Sequence, residues 1–147
     1  VTSSPQLLTL DETVAIDVHT HVEMSKSGHD SLPDHLRDAA VRHFRAEMVR
    51  PTAEELASYY RQRQMMAVCF TVDSESVTGH PRIPNTEVAD VARQNSDVLI
   101  PFASVDPHKG HAGIEEARAL IESGSVRGFK FHPNLQAFFP NDRMAYP

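Results

Sequence analysis

Two histidines stand two residues apart at the end of an apolar, β-branched run, Ala15-Ile16-Asp17-Val18-His19-Thr20-His21-Val22. Side chains alternate faces along a strand, so residues i and i+2 project together. His19 and His21 are therefore expected side by side. Asp17 is expected on the same face one pleat earlier, and Ile16, Val18, Thr20 and Val22 on the other. Paired imidazoles at a strand terminus are the start of a divalent-metal site, because neutral imidazole is the commonest protein metal ligand. The plainer alternative is a pair of surface or hydrogen-bonded histidines. Position favours the metal: the pair closes the first strongly apolar run, and Asp17 and Glu23 flank it.

A second group of candidates lies in Val126-Arg127-Gly128-Phe129-Lys130-Phe131-His132-Pro133. Alternation puts Gly128, Lys130 and His132 on one face and Phe129 and Phe131 on the other. If the phenylalanines meet a helix layer, Lys130 and His132 point away from it. An interior ammonium there needs a partner, a modification or an anion. Lys130 and His132 are the candidate catalytic residues. The next segment, 134–140, offers Gln136, Phe138 and Phe139. They read either as a substrate-binding wall for a flat or unsaturated molecule or as a loop that packs on a neighbouring subunit. The remaining histidines are weaker candidates: His108 and His111 as a solvated pair, His80 as a surface or lid residue, and His29, His35 and His43 as exposed. Arg42, His43 and Arg45 read as a solvated basic helix face.

Four apolar runs must position these groups. Residues 14–22, 65–72, 98–105 and 126–132 read as strands, the middle two so continuously apolar that both of their faces must be covered. Between them, helical spacing and caps predict helices over 33–47, 53–64, 86–94 and 112–123. Thr52 and Glu55 form a capping box before the second helix, and Gly124 stops the last. The order β, αα, β, α, β, α, β predicts a parallel α/β sheet with right-handed crossovers. In a barrel of that kind the active site lies at the C-terminal strand ends. Those ends carry His19 and His21, Thr71 and Asp73, Ser104 and Asp106, and Lys130 and His132. Polar residues are ordinary where strands run into loops, which accounts for Asp73, Ser104 and Asp106 but poorly for Lys130. No strand is followed by Gly-x-Gly-x-x-Gly, and Gly-x-Ser-x-Gly is absent. Both points count against dinucleotide binding and an α/β serine hydrolase.

Composition sets the outer limits. The 147 residues fit one domain, with residues 1–12 as a polar lead-in and 13–147 as the folded part. A net charge of −6 and no clustered Lys or Arg disfavour nucleic acid. No apolar run approaches the roughly 18 residues of a membrane span, and the first residues lack the pattern of a signal peptide. The single cysteine, Cys69, sits in an apolar run and reads as a buried thiol in a reducing, cytoplasmic setting.

Taken together, Ile16-Asp17-Val18-His19-Thr20-His21, then Gly128-Phe129-Lys130-Phe131-His132-Pro133, then Gln136 and Pro140 resemble the amidohydrolase superfamily. The resemblance is to its amidohydrolase 2 branch, which includes aminocarboxymuconate-semialdehyde decarboxylase and resorcylate decarboxylases, and it spans residues 14–147. It implies a (β/α)8 TIM-type barrel of which this chain holds about the first four β/α units. It implies a divalent metal, zinc before manganese, held by His19 and His21, with a later histidine and aspartate expected after Pro147. In the mononuclear branch Lys130 would pair with a substrate carboxylate rather than bridge metals. The implied activity is hydrolysis or non-oxidative decarboxylation of a small carboxylated, aromatic or unsaturated substrate through a metal-activated water. The alternatives are a metal-free barrel relative that binds a ligand and a metal-dependent phosphoesterase. A homo-oligomer, a dimer first, and the C-terminal half of the barrel are the expected partners, since half a barrel leaves open sheet edges.

Overall fold

Ala15–His21 (β1), Met65–Phe70 (β2), Leu99–Ala103 (β3) and Gly128–Phe129 (β4) form one parallel sheet in that order. The computed structural model describes residues 7–45 and 49–146. Helices Asp34–Phe44 (α1), Ala53–Arg61 (α2), the single turn Glu75–Thr78 (α3), Asn85–Gln94 (α4) and His111–Glu122 (α5) fill the crossovers. Four parallel strands with intervening helices make half of a TIM-type barrel. The expected lead-in lies outside the described residues up to residue 6, and its described part ends in a 3-10 turn at Leu10–Glu12. The last two residues of the predicted first helix also lie outside them, and α1 closes at Phe44.

The apolar runs form strands because covered parallel strands are where continuous β-branched and aliphatic sequence is stable. In β2, Ala67, Val68, Cys69 and Phe70 are all buried. Ala67 and Cys69 join a core with Leu56, Ala57 and Tyr60 of α2 and Val88, Val91 and Ala92 of α4. Cys69 is buried as expected, and burial pushes its thiol up to about 12, so it is inert. The Thr52–Glu55 capping box is present, with the Glu55 N–H donating to Thr52 Oγ1 and the Thr52 N–H donating to Glu55 Oε2.

Two local departures matter for the site. In β1, Asp17 pairs with Ala67 and Thr20 with Cys69, so one extra residue is inserted between them. That bulge breaks simple alternation. Asp17 therefore turns to the helix layer, where the Tyr60 hydroxyl donates to it at 2.7 Å. This corrects the expected common face of Asp17, His19 and His21. Beyond the bulge, Thr20 and Val22 are buried and the two histidines keep a shared face.

The fourth strand is also shorter than the predicted 126–132. Its ladder runs from the Arg127 N–H, donating to Pro101 O, to the Lys130 N–H, donating to Ala103 O. Gly128 packs against the ring of Phe102, and Phe129 packs toward α5 as anticipated. After Lys130 the chain leaves the ladder, so His132 is placed by a loop and not by strand alternation.

The strand ends are tied together by a buried ionic network. Asp73, fully buried, accepts from Lys109 Nζ at 2.7 and 2.9 Å and from Arg82 at 2.8 Å. Arg82 also grips Glu116 of α5 with both oxygens at 2.8 Å, and Asn85 links Glu116 to the Ser104 carbonyl. Asp106 is buried as well and caps the backbone N–H groups of Ser76 and His108. Asp73, Ser104 and Asp106, read from sequence as ordinary loop polarity, are thus interior hubs.

Two stability outcomes follow. Removing the Asp73 carboxylate in Asp73→Ala leaves two half-buried cations competing for fewer acceptors. Urea denaturation is expected to show a loss of about 3–5 kcal/mol. In Gly128→Ala the new Cβ would sit 2.6 Å from the Phe102 ring, and the same measurement is expected to show a loss of about 1–3 kcal/mol.

Candidate metal centre and cleft

His19 and His21 leave the end of β1 with their Nε2 atoms 3.1 Å apart and their rings stacked at 5.2 Å between centroids. Phe70 of β2 backs both rings, edge-on to His21. Lys130 reaches the same point from β4: its Nζ lies 3.2 Å from His19 Nε2 and 4.9 Å from the centre of the Phe70 ring. No carboxylate pairs with this ammonium among the described residues. His132 stands on the same side, on the loop after β4. The structure thus brings His19, His21 and His132 to one cleft and sets Lys130 against His19 beside it.

The electrostatics follow from three imidazoles and an ammonium held close together. Burial, reinforced by His19, Lys130 and His132, pushes His21 down to about 4, so its ring is neutral at neutral pH. Burial also lowers His132, with Lys130 and His19 adding to it, and burial lowers Lys130. Glu23, 3.6 Å from His21 Nδ1, is raised by burial; the Ser31 hydroxyl that donates to it pulls the other way.

Two imidazoles with converging Nε2 atoms suit one divalent ion. Tetrahedral coordination at Zn–N distances near 2.0–2.1 Å places neighbouring nitrogens about 3.3 Å apart. Among the described residues no third His, Cys, Asp or Glu completes a ligand set. His19 and His21 fit as two ligands of a larger set.

The cleft in front of them measures about 550 Å³. Its floor is His19, His21, Glu23 and His132; its walls are Leu32, Leu36, Ala40 and Phe44 from the α1 side and Val72 and Leu135 opposite. The expected substrate wall is corrected here. Gln136 is fully buried with its amide committed to protein groups, Phe138 is buried edge-on against Phe131, and Phe139 is exposed outside the cleft. Leu135 and Asn134, not those three, reach the lining.

The residues missed are those of α1. Leu36, Ala40 and Phe44 recur at helical spacing, which marks a helix and no more, yet α1 buries none of its residues and turns this stripe to the cleft. The clue was topological: a helix that directly follows the His19 and His21 strand end must begin at the rim.

The other histidines also differ from expectation. His29 and His80 stack on each other at 4.9 Å, His29 facing the Pro81 carbonyl and His80 the Asp30 carbonyl, so neither is merely a surface residue. His108 is not a solvated partner of His111: its Nε2 meets the Gln136 carbonyl at 2.8 Å, while His111 faces Glu115 in solvent.

This half-barrel with a histidine pair at its first strand end is matched by the family model described as Amidohydrolase, of the amidohydrolase 2 type, over residues 16–147. The chain belongs to that amidohydrolase family, whose members generally use divalent metals. No curated protein and no solved structure matches it. Among the described residues no helix is long and apolar enough to cross a membrane.

Zinc titration by calorimetry tests the two ligands. His19→Ala and His21→Ala are each expected to weaken binding by about ten-fold or more. Asp17→Asn, whose side chain faces α2, is expected to leave it unchanged.

Proposed function

We propose that this chain carries the histidine-bearing half of a metal-dependent hydrolase or non-oxidative decarboxylase. Its substrate is a small carboxylated acid with an aromatic or unsaturated body. The observation that carries the reading is the convergence of His19 Nε2 and His21 Nε2 beside an ammonium, Lys130, that has no carboxylate partner among the described residues.

His19 and His21 hold the divalent ion, zinc before manganese. When bound, the ion supplies Lewis acidity and a water acidic enough to act as a nucleophile near neutral pH. Lys130 attracts and fixes the substrate carboxylate, the natural partner for an ammonium partly withdrawn from water. Phe70 keeps that ammonium in place from below. The apolar stripe of α1 takes the body of the substrate and keeps water off it, so the ionic contact at Lys130 is stronger than in bulk solvent. Further metal ligands and the decisive acid or base come from elsewhere in the working protein, which is cytoplasmic. A second barrel half completes the sheet, and the assembly is a homodimer.

The test is turnover of a panel of aromatic carboxylates and their amides by the complete zinc-loaded protein, with both barrel halves present. His19→Ala and His21→Ala are expected to lower kcat/KM by about a hundred-fold or more with unchanged circular dichroism. Lys130→Met is expected to act mainly on KM for carboxylated substrates. Near wild-type turnover in either histidine variant would contradict the assignment.

A further inference from the structure

Gln136 is buried to zero exposure beneath a residue of the cleft, and every polar group of its side chain is used. The loop after β4 doubles back so that Gln136 clamps the backbone of His132 from both sides. The His132 N–H donates to Gln136 Oε1 at 2.7 Å, and the Gln136 N–H donates to His132 O at 2.9 Å. Gln136 Nε2 donates to the carbonyls of Asp73 and Val105, at 2.8 and 3.1 Å, beyond the ends of β2 and β3. The loop is thereby fastened to the same interior rim that the Asp73 network holds rigid. Within this loop the Leu135 N–H donates to His132 Nδ1 at 3.3 Å.

That last contact determines where the imidazole proton is. A neutral ring carries one N–H, and a nitrogen that accepts a hydrogen bond does not bear it. With Nδ1 accepting from Leu135, the proton sits on Nε2.

We propose that Gln136 is a positioning residue that holds His132 as an Nε2–H donor to the carboxylate of the bound substrate. The identity of the acceptor rests on the function proposed above; the tautomer and the role of Gln136 do not. His132 and Lys130 then form a two-point anion clamp, one neutral donor and one ammonium, next to the two metal-binding rings. Gln136 is the residue that brings the strand-less His132 into that clamp after the ladder of β4 has ended.

Long-range proton–nitrogen NMR on histidine-labelled protein tests this, with the His132 signals assigned from His132→Gln. The expected result is a single Nε2–H tautomer for His132. Adding zinc alone should shift the rings of His19 and His21 and leave that tautomer in place. Adding benzoate as the carboxylate probe should move the Nε2–H resonance. An Nδ1–H tautomer, a mixture of the two, or loss of the Nε2–H signal on zinc addition would overturn the proposal.

Gln136→Glu keeps an acceptor for the His132 N–H and removes both donors. It is expected to weaken benzoate binding about ten-fold, the value of one lost charge-assisted hydrogen bond, with zinc affinity within about two-fold of wild type. Gln136→Leu serves as the harsher variant, and the wild-type tautomer decides the matter even if it does not fold. Wild-type benzoate affinity in a folded Gln136→Glu protein would remove Gln136 from the clamp. A protein without turnover but with the expected tautomer would sink the functional reading alone.

Discussion

A carboxylate sealed inside the protein, that of Asp73, is the constraint on which the rest of the rim depends. Its desolvation is costly and is offset only if cations reach it in good geometry. They come from two different loops, Arg82 from the segment after β2 and Lys109 from the turn after β3. Satisfying one anion therefore pulls two crossovers against the strand ends. Arg82 extends the tie to Glu116 on α5, and the Asp73 carbonyl receives Gln136 from the loop after β4. Three loops that share no sequence proximity are thus tied to one residue, two through its carboxylate and one through its backbone carbonyl.

The site next to it has the opposite character. Around Asp73 the carboxylate is matched by two cations; around His19, His21, Lys130 and His132 there are bases and an ammonium that no carboxylate pairs with among the described residues. Glu23, 3.6 Å from His21 Nδ1, has its own proton affinity raised by burial. Burial, with like-signed groups crowded around, lowers the affinity of His21 and His132 for protons and leaves their lone pairs or N–H groups available. The rigid neighbour makes the arrangement tenable, because a mobile rim would let Lys130 swing into water.

The sheet was legible in the sequence for a simple reason. Continuous apolar runs separated by amphipathic stretches with caps allow few other folds, and His19 and His21 keep a shared face although the bulge falls between Asp17 and Thr20. What was not legible required knowing a neighbour. The bulge that sends Asp17 to Tyr60 is invisible without the register against Ala67 and Cys69. The early end of β4 depends on Gln136, four residues on, capturing the His132 backbone. Gln136 looked like a substrate residue because a polar side chain among phenylalanines at a rim suggests exposure; burial shows that it serves the backbone. Likewise the stripe of α1 has helical spacing, and only the topology reveals that it faces a cleft.

The outer side of β1 brings these points together. Val14 is 70% exposed and Val18 is 72% exposed, although Val22 on the same segment is 2% exposed. Apolar side chains along a parallel strand are normally covered on both faces, and an open edge invites pairing. Burying a valine is worth roughly 1.5–3 kcal/mol, so a chain that leaves Val18 on the strand and Val14 just before it uncovered gains by closing over them. That strand is the one that ends in His19 and His21. On the proposed reading, a second barrel half that covers this edge brings its own strand ends beside the two imidazoles. Completing the sheet and completing the metal's ligand set would then be one event, with the apolar edge supplying the binding energy and the histidines the chemistry.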